Sequence, residues 1–118
     1  MARYRTVSDA ELTQLLARFS KSTASADDIS QLTRHFLAVI SKKSPGKALE
    51  IRIPPFGAVQ IGAGVQHTRG KPPAVIELNP ETWIELSIGL LTWEETTNSA
   101  WDERTDISGL LPLAIISG

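Results

Sequence analysis

Cysteine is absent from this 118-residue chain. With it go disulfides, thiolate zinc sites and thiol nucleophiles. Also missing is any apolar run of about 18 residues, so no segment reads as a membrane-spanning helix. The opening Met1-Ala2-Arg3-Tyr4-Arg5 carries no apolar signal region, which makes the cytoplasm the expected compartment. No G-x-S-x-G elbow, H-E-x-x-H helix, Walker loop or dinucleotide fingerprint occurs. Gly62-Ala63-Gly64 begins like the last of these, but a third glycine is lacking and no helix is expected to follow. The two histidines, His35 and His67, stand far apart with no helical partner, so neither a metal site nor a catalytic set is expected. His35 is expected at an exposed or edge position of its helix. No cofactor is implied.

Hydrophobic residues make up 42% of the chain and charged residues 21%, the balance of a folded domain and not of a disordered chain. The length suits one domain, 1–118. Net charge is −1, unevenly spread: residues 1–52 hold nine Lys/Arg against five Asp/Glu, and residues 53–118 hold three against eight. Two solvated faces of one domain account for that. A basic surface turned to anionic lipid is the sharper reading. Nucleic acid is not an expected partner, because the basic residues are not interleaved with aromatics.

Along the chain, Ser8-Asp9-Ala10-Glu11 reads as a capping box ahead of Leu12, Leu15, Leu16 and Phe19, the stripe of an amphipathic helix. Lys21–Ala26 is the connecting loop. A second helix begins near Asp27-Asp28, carries Ile29, Leu32, Phe36, Val39 and Ile40, and stops before Pro45-Gly46. The period then changes to two. Leu49, Ile51 and Ile53 alternate with Glu50 and Arg52 in a half-buried strand, Pro54-Pro55-Phe56-Gly57 turns, and Val59 and Ile61 return. After the loop Val65–Pro73, Val75-Ile76-Glu77-Leu78 is a third strand with Ile76 and Leu78 inward.

Asn79 then caps a helix with Pro80 at its first position and Glu81 in its first turn. Trp83, Leu86 and Leu90 share one row, and Ile84, Ile88 and Leu91 another, so the helix is apolar on two faces. Gly89 is placed to stop it in a left-handed conformation. Thr92 and Glu95 form the capping box of a following helix. Further on, a strand around Trp101 is uncertain for want of flanking glycines. Asp106 caps a short turn over Ile107–Leu111 that Pro112 closes. The apolar tail Leu113-Ala114-Ile115-Ile116 is expected to pack back, to plug a cavity or to meet another subunit.

Four pieces of this pattern together resemble the sterol-carrier-protein family, and in particular a bacterial, largely actinobacterial branch of stand-alone domains. They are Pro80-Glu81-Thr82-Trp83 with Ser87–Trp93; Leu49–Gln60; His67-Thr68-Arg69-Gly70-Lys71-Pro72-Pro73; and Leu110-Leu111-Pro112-Leu113. The resemblance implies an α/β (α+β) fold: a mixed, mostly antiparallel sheet of about four or five strands covered by helices, with helices Pro80–Ile88 and Thr92–Thr97 closing an apolar cavity. Its implied function is non-enzymatic binding, and transfer, of a lipid, acyl chain or sterol-like ligand.

On that reading Ile51, Ile53, Ile61, Ile76, Trp83, Leu86, Leu90, Leu91 and Trp93 line the cavity. Arg52, His67, Thr68 and Arg69 form a polar mouth, where a guanidinium can pair bidentately with a phosphate or carboxylate. Plain core for the tryptophans and a solvated loop for His67–Lys71 are the competing accounts. The alternative function is a ligand-free interaction module related to accessory domains of larger bacterial enzymes. A homodimer and a transient contact with a membrane surface are the further associations considered.

Overall fold

A computed structural model of the chain describes residues 4–62, 74–96 and 106–114. The Ser8 hydroxyl accepts the Glu11 N–H at 3.2 Å and opens helix α1, Asp9–Ser20. Leu15 and Leu16 are buried while Leu12 and Phe19 are half-buried, so the apolar stripe is the face that packs. The helix ends in a Schellman turn on a serine: Ser22 takes a φ of 60°, and the Thr23 N–H returns to the Arg18 carbonyl at 2.9 Å.

Helix α2, Ala26–Lys43, starts slightly earlier than the acidic pair suggested. Its true cap is Ser25, whose hydroxyl accepts the Asp28 N–H while the Asp28 carboxylate accepts the Ser25 N–H, both at 3.0 Å. Arg18 of α1 binds the same carboxylate through two N–H groups, at 2.8 and 3.1 Å. One buried carboxylate therefore caps α2 and fastens α1 to it. Those contacts hold its pKa well below the usual 3.8, at about 2, with the Arg18 hydrogen bond the largest cause.

Strand β1, Leu49–Ile53, runs antiparallel to β2, Gly57–Ile61. The turn between them is closed by the Phe56 N–H on the Ile53 carbonyl at 2.8 Å. Strand β3, Ala74–Glu77, pairs with β1 in parallel, giving the order β2-β1-β3. The expected sheet of four or five mostly antiparallel strands is corrected here: the described residues hold three, with one antiparallel and one parallel pair. The parallel pair has a simple cause. β2 ends opposite Leu49, where β1 begins, and β3 starts opposite that same residue on the other edge of β1, so it runs the same way as β1. The segment around Trp101, for which the sequence left a strand open, lies outside the described residues.

Alternation sets the two faces of the sheet. Leu49, Ile51, Ile53, Val59, Ile61, Ala74 and Ile76 are buried on one side, and Arg52, Ala58, Gln60, Val75 and Glu77 are exposed on the other. Helix α2 lies on the apolar face, mainly over β2, with Leu32, Phe36, Leu37 and Ile40 buried. The first helix packs on α2.

Helix α3, Pro80–Ser87, lies beside α2. Asn79 caps it, accepting the Thr82 N–H at 2.8 Å. Its end is a second Schellman turn: Gly89 has a φ of 82°, its N–H reaches Leu86, and the Leu90 N–H reaches the Glu85 carbonyl at 2.9 Å. Thr92 and Glu95 then cap α4, Trp93–Thr96, with the Thr92 N–H on the Glu95 carboxylate at 2.8 Å. A 3-10 turn follows at Ser108–Leu110, set by the Ser108 N–H on Asp106 at 2.9 Å. Among the described residues no helix is long and apolar enough to cross a membrane.

Candidate functional site

Most of the apolar set named from the sequence meets in one cluster. Ile51 pairs across the sheet with Val59 on one side and Ile76 on the other, so these side chains form a row on the inward face. Ile53 and Ile61 flank that row, and Trp83, Leu86 and Trp93 of the helices belong to the same cluster, all of them buried. The indole of Trp83 donates to the Thr33 carbonyl of α2 at 3.2 Å, which satisfies its one polar atom inside the core. Ser87, also buried, donates to the Trp83 carbonyl at 2.7 Å.

Leu90 does not join them. It is 61% exposed. The helical row Trp83–Leu86–Leu90 assumed one more turn of helix, whereas the left-handed Gly89 ends α3 and swings Leu90 off that face. Leu91 is half-buried beside it. The C-terminal segment packs on this corner. The Leu113 and Ala114 N–H groups both donate to the Ser87 carbonyl, at 2.7 and 3.0 Å, and Pro112 lies over Gly89. Lys43 at the end of α2 donates to the Leu110 carbonyl at 3.0 Å. Of the fates considered for the tail, packing back is the one seen, for Leu113 and Ala114. Ile115 and Ile116 lie outside the described residues.

The polar mouth is not assembled from what is described. Arg52 projects from the opposite face of the sheet, as its place between Ile51 and Ile53 requires, and its guanidinium is hydrogen-bonded to Glu50. That pairing lowers the pKa of the Glu50 carboxyl. Glu77 sits across from Arg52 in the β1–β3 register and adds to the anionic side of the pairing. His67, Thr68 and Arg69 lie outside the described residues.

Two polar side chains escaped the sequence reading. Thr33 is fully buried at the α2–α3 contact, and its hydroxyl has no hydrogen-bond partner among the described residues. His35, expected at an exposed or edge position, is buried. Its Nδ1 accepts the Val7 N–H at 3.0 Å, and its ring meets Phe36 edge-on at 4.9 Å. Burial pushes its pKa below the ordinary 6.5, against a smaller opposing pull from Asp9. Ile107 is a further core residue, isolated in sequence, that no periodicity marked.

A family model described as bacterial SCP ortholog matches residues 25–113, about three quarters of the chain. The chain belongs to that family of bacterial sterol-carrier-protein orthologs. Its match begins at Ser25, the cap of α2, and ends at Leu113, whose N–H is held by Ser87. The three strands and helices α2 to α4 thus fall inside the region that defines this sterol-carrier-like domain, while the N-terminal arm and α1, with its core residues Leu15 and Leu16, lie outside it. A comparison with curated proteins found none that matches the chain.

Proposed function

We propose that this sterol-carrier-like chain binds an apolar or amphiphilic ligand, an acyl chain or a sterol-like molecule, without catalysing a reaction on it. One observation carries the reading: Trp83, Leu86 and Trp93 of the α3–α4 hairpin share one buried apolar cluster with the inward face of the sheet, while Leu90, at the turn of that hairpin, is left 61% exposed. An isolated exposed leucine is ordinary, but we take this one, at the turn of the hairpin, as the point where the ligand enters. In the closed state the candidate lining residues pack on one another, so entry requires the hairpin to move about Gly89. The wall that moves is short, with eight residues in α3 and four in α4. Burying ten methylenes would supply about 8 kcal/mol, from which the costs of ordering the ligand and opening the hairpin are drawn.

Native mass spectrometry of protein taken from its own host, followed by titration of delipidated protein with a fatty acid under tryptophan emission, tests this. The expected results are a co-purifying lipid and an emission change that saturates. Leu90→Glu should leave the fold intact and weaken binding several-fold, because it places charge on the entry path. A ligand-free dimer, with no emission change for fatty acid, phospholipid or sterol, would replace this reading with the interaction module.

A further inference from the structure

We infer that the N-terminal arm, residues 4–8, is a strap latched by His35, and that protonation of this imidazole releases it. The inference does not depend on ligand binding. It stands on two anchors that join the arm to separate layers of the fold. At one, the Val7 N–H donates to His35 Nδ1 on α2 at 3.0 Å. At the other, the Tyr4 hydroxyl accepts the Ala58 N–H on β2 at 3.1 Å, with the phenol seated over Gly57.

A ring nitrogen that accepts an N–H carries no proton, so the imidazole is neutral with its proton on Nε2. Adding a proton puts an N–H on Nδ1, facing the N–H of Val7. The acceptor is lost and two donors oppose each other. The new positive charge is also buried, beside the Phe36 ring, where little water can reach it. Asp9, in the first turn of α1, is the anionic group acting on the ring, and Glu11 follows it in the same turn. Arg5 of the arm and Arg34 of α2 bring like charge, although the Arg34 guanidinium is directed to the Phe56 carbonyl at 3.1 Å. The Pro54–Gly57 turn brings no titratable group. Burial favours the neutral ring, so the latch holds at neutral pH and opens in mild acid.

Release would free the Ala58 N–H along an edge of the described sheet and loosen the tie between α2 and β2. The arm precedes the family-matched region, whereas both its anchors lie within it. The strap is therefore an addition clipped onto the common domain.

The full-length, isotope-labelled chain tests this by NMR from pH 7.5 to 4.5. The His35 Nδ1 shift should report an unprotonated nitrogen at pH 7.5. The Val7 and Ala58 amides should move with the His35 midpoint, at a pH below 6.5, and the heteronuclear NOE of residues 4–7 should fall through the same midpoint. His35→Gln, which keeps a neutral acceptor, should hold the arm in place across the whole range. Tyr4→Phe should speed exchange of the Ala58 amide at least tenfold while Val7 still follows His35. A proton on Nδ1 at pH 7.5, an arm NOE that ignores the His35 titration, or an arm in His35→Gln that loosens at the wild-type midpoint would each overturn the inference.

Discussion

Thr33→Val should make this protein more stable. The Thr33 side chain is fully buried, and its hydroxyl is the one buried side-chain polar atom left without a partner among the described residues. An unsatisfied buried hydroxyl costs about 1–3 kcal/mol of desolvation, while a methyl in its place recovers about 0.8 kcal/mol of transfer energy. Valine has nearly the same shape and the same branching at Cβ, so neither α2 nor the neighbouring side chains need to adjust. The backbone carbonyl that receives the Trp83 indole is untouched. The expected gain is about 1–2 kcal/mol, or roughly 4–8 °C in Tm for a chain of this size. Urea unfolding followed by tryptophan emission measures it, with the midpoint raised and the slope m unchanged. Thr33→Ser, which keeps the hydroxyl and deletes the methyl, should lose about 1 kcal/mol. A valine variant less stable than the parent would mean that the hydroxyl is bonded in the folded state, and the reasoning would fail.

Three further outcomes can be measured with the same unfolding assay. Asp28 has a folded pKa of about 2 against an ordinary 3.8, so the stability it supplies is complete above pH 3.8 and is lost as the pH falls towards 2. Asp28→Asn should flatten the acid limb of Tm against pH in that window, and an unaltered limb would contradict the assignment. A Cβ on Gly57 would lie 2.4 Å from the Tyr4 hydroxyl oxygen, so Gly57→Ala should cost on the order of 1 kcal/mol in the parent and much less in a Tyr4→Ala background. Equal costs in both backgrounds would show that the arm is not what it meets. Gly89→Ala should destabilise by about 1–2 kcal/mol at a φ of 82°, and Ser22→Gly should stabilise by about 1 kcal/mol at a φ of 60°. The same sign for both would refute the two Schellman turns.

Caps, turns and periods are local, and they were legible in the sequence. Asn79-Pro80, Thr92 with Glu95, Gly89 and Asp106 each act through neighbours within a few residues, so their chemistry is readable before any tertiary contact is known. The alternation of β1 likewise fixed that Arg52 and Ile51 face opposite ways, so Arg52 lies on the side of the sheet away from the buried apolar row. Leu90 was misplaced by a single step of reasoning: one apolar row was carried through a glycine that reverses the chain. The candidate apolar lining was therefore visible as composition, but its rim was not.

Pairings between distant segments had no such local signal. Ser25 with Asp28 is a local capping box, but the Arg18 bond to that carboxylate waited on the helix pair, and His35 looked exposed until the arm, 28 residues earlier in the chain, lay across it. The parallel pairing of β3 with β1 also waited on the fold, because a strand's own residues state its faces and not its neighbour. Short-range hydrogen bonding and hydrophobic period are properties of a segment, so the chain's order of residues determined them. Which segment covers which depends on the summed burial of all of them at once, and only the folded whole decided that.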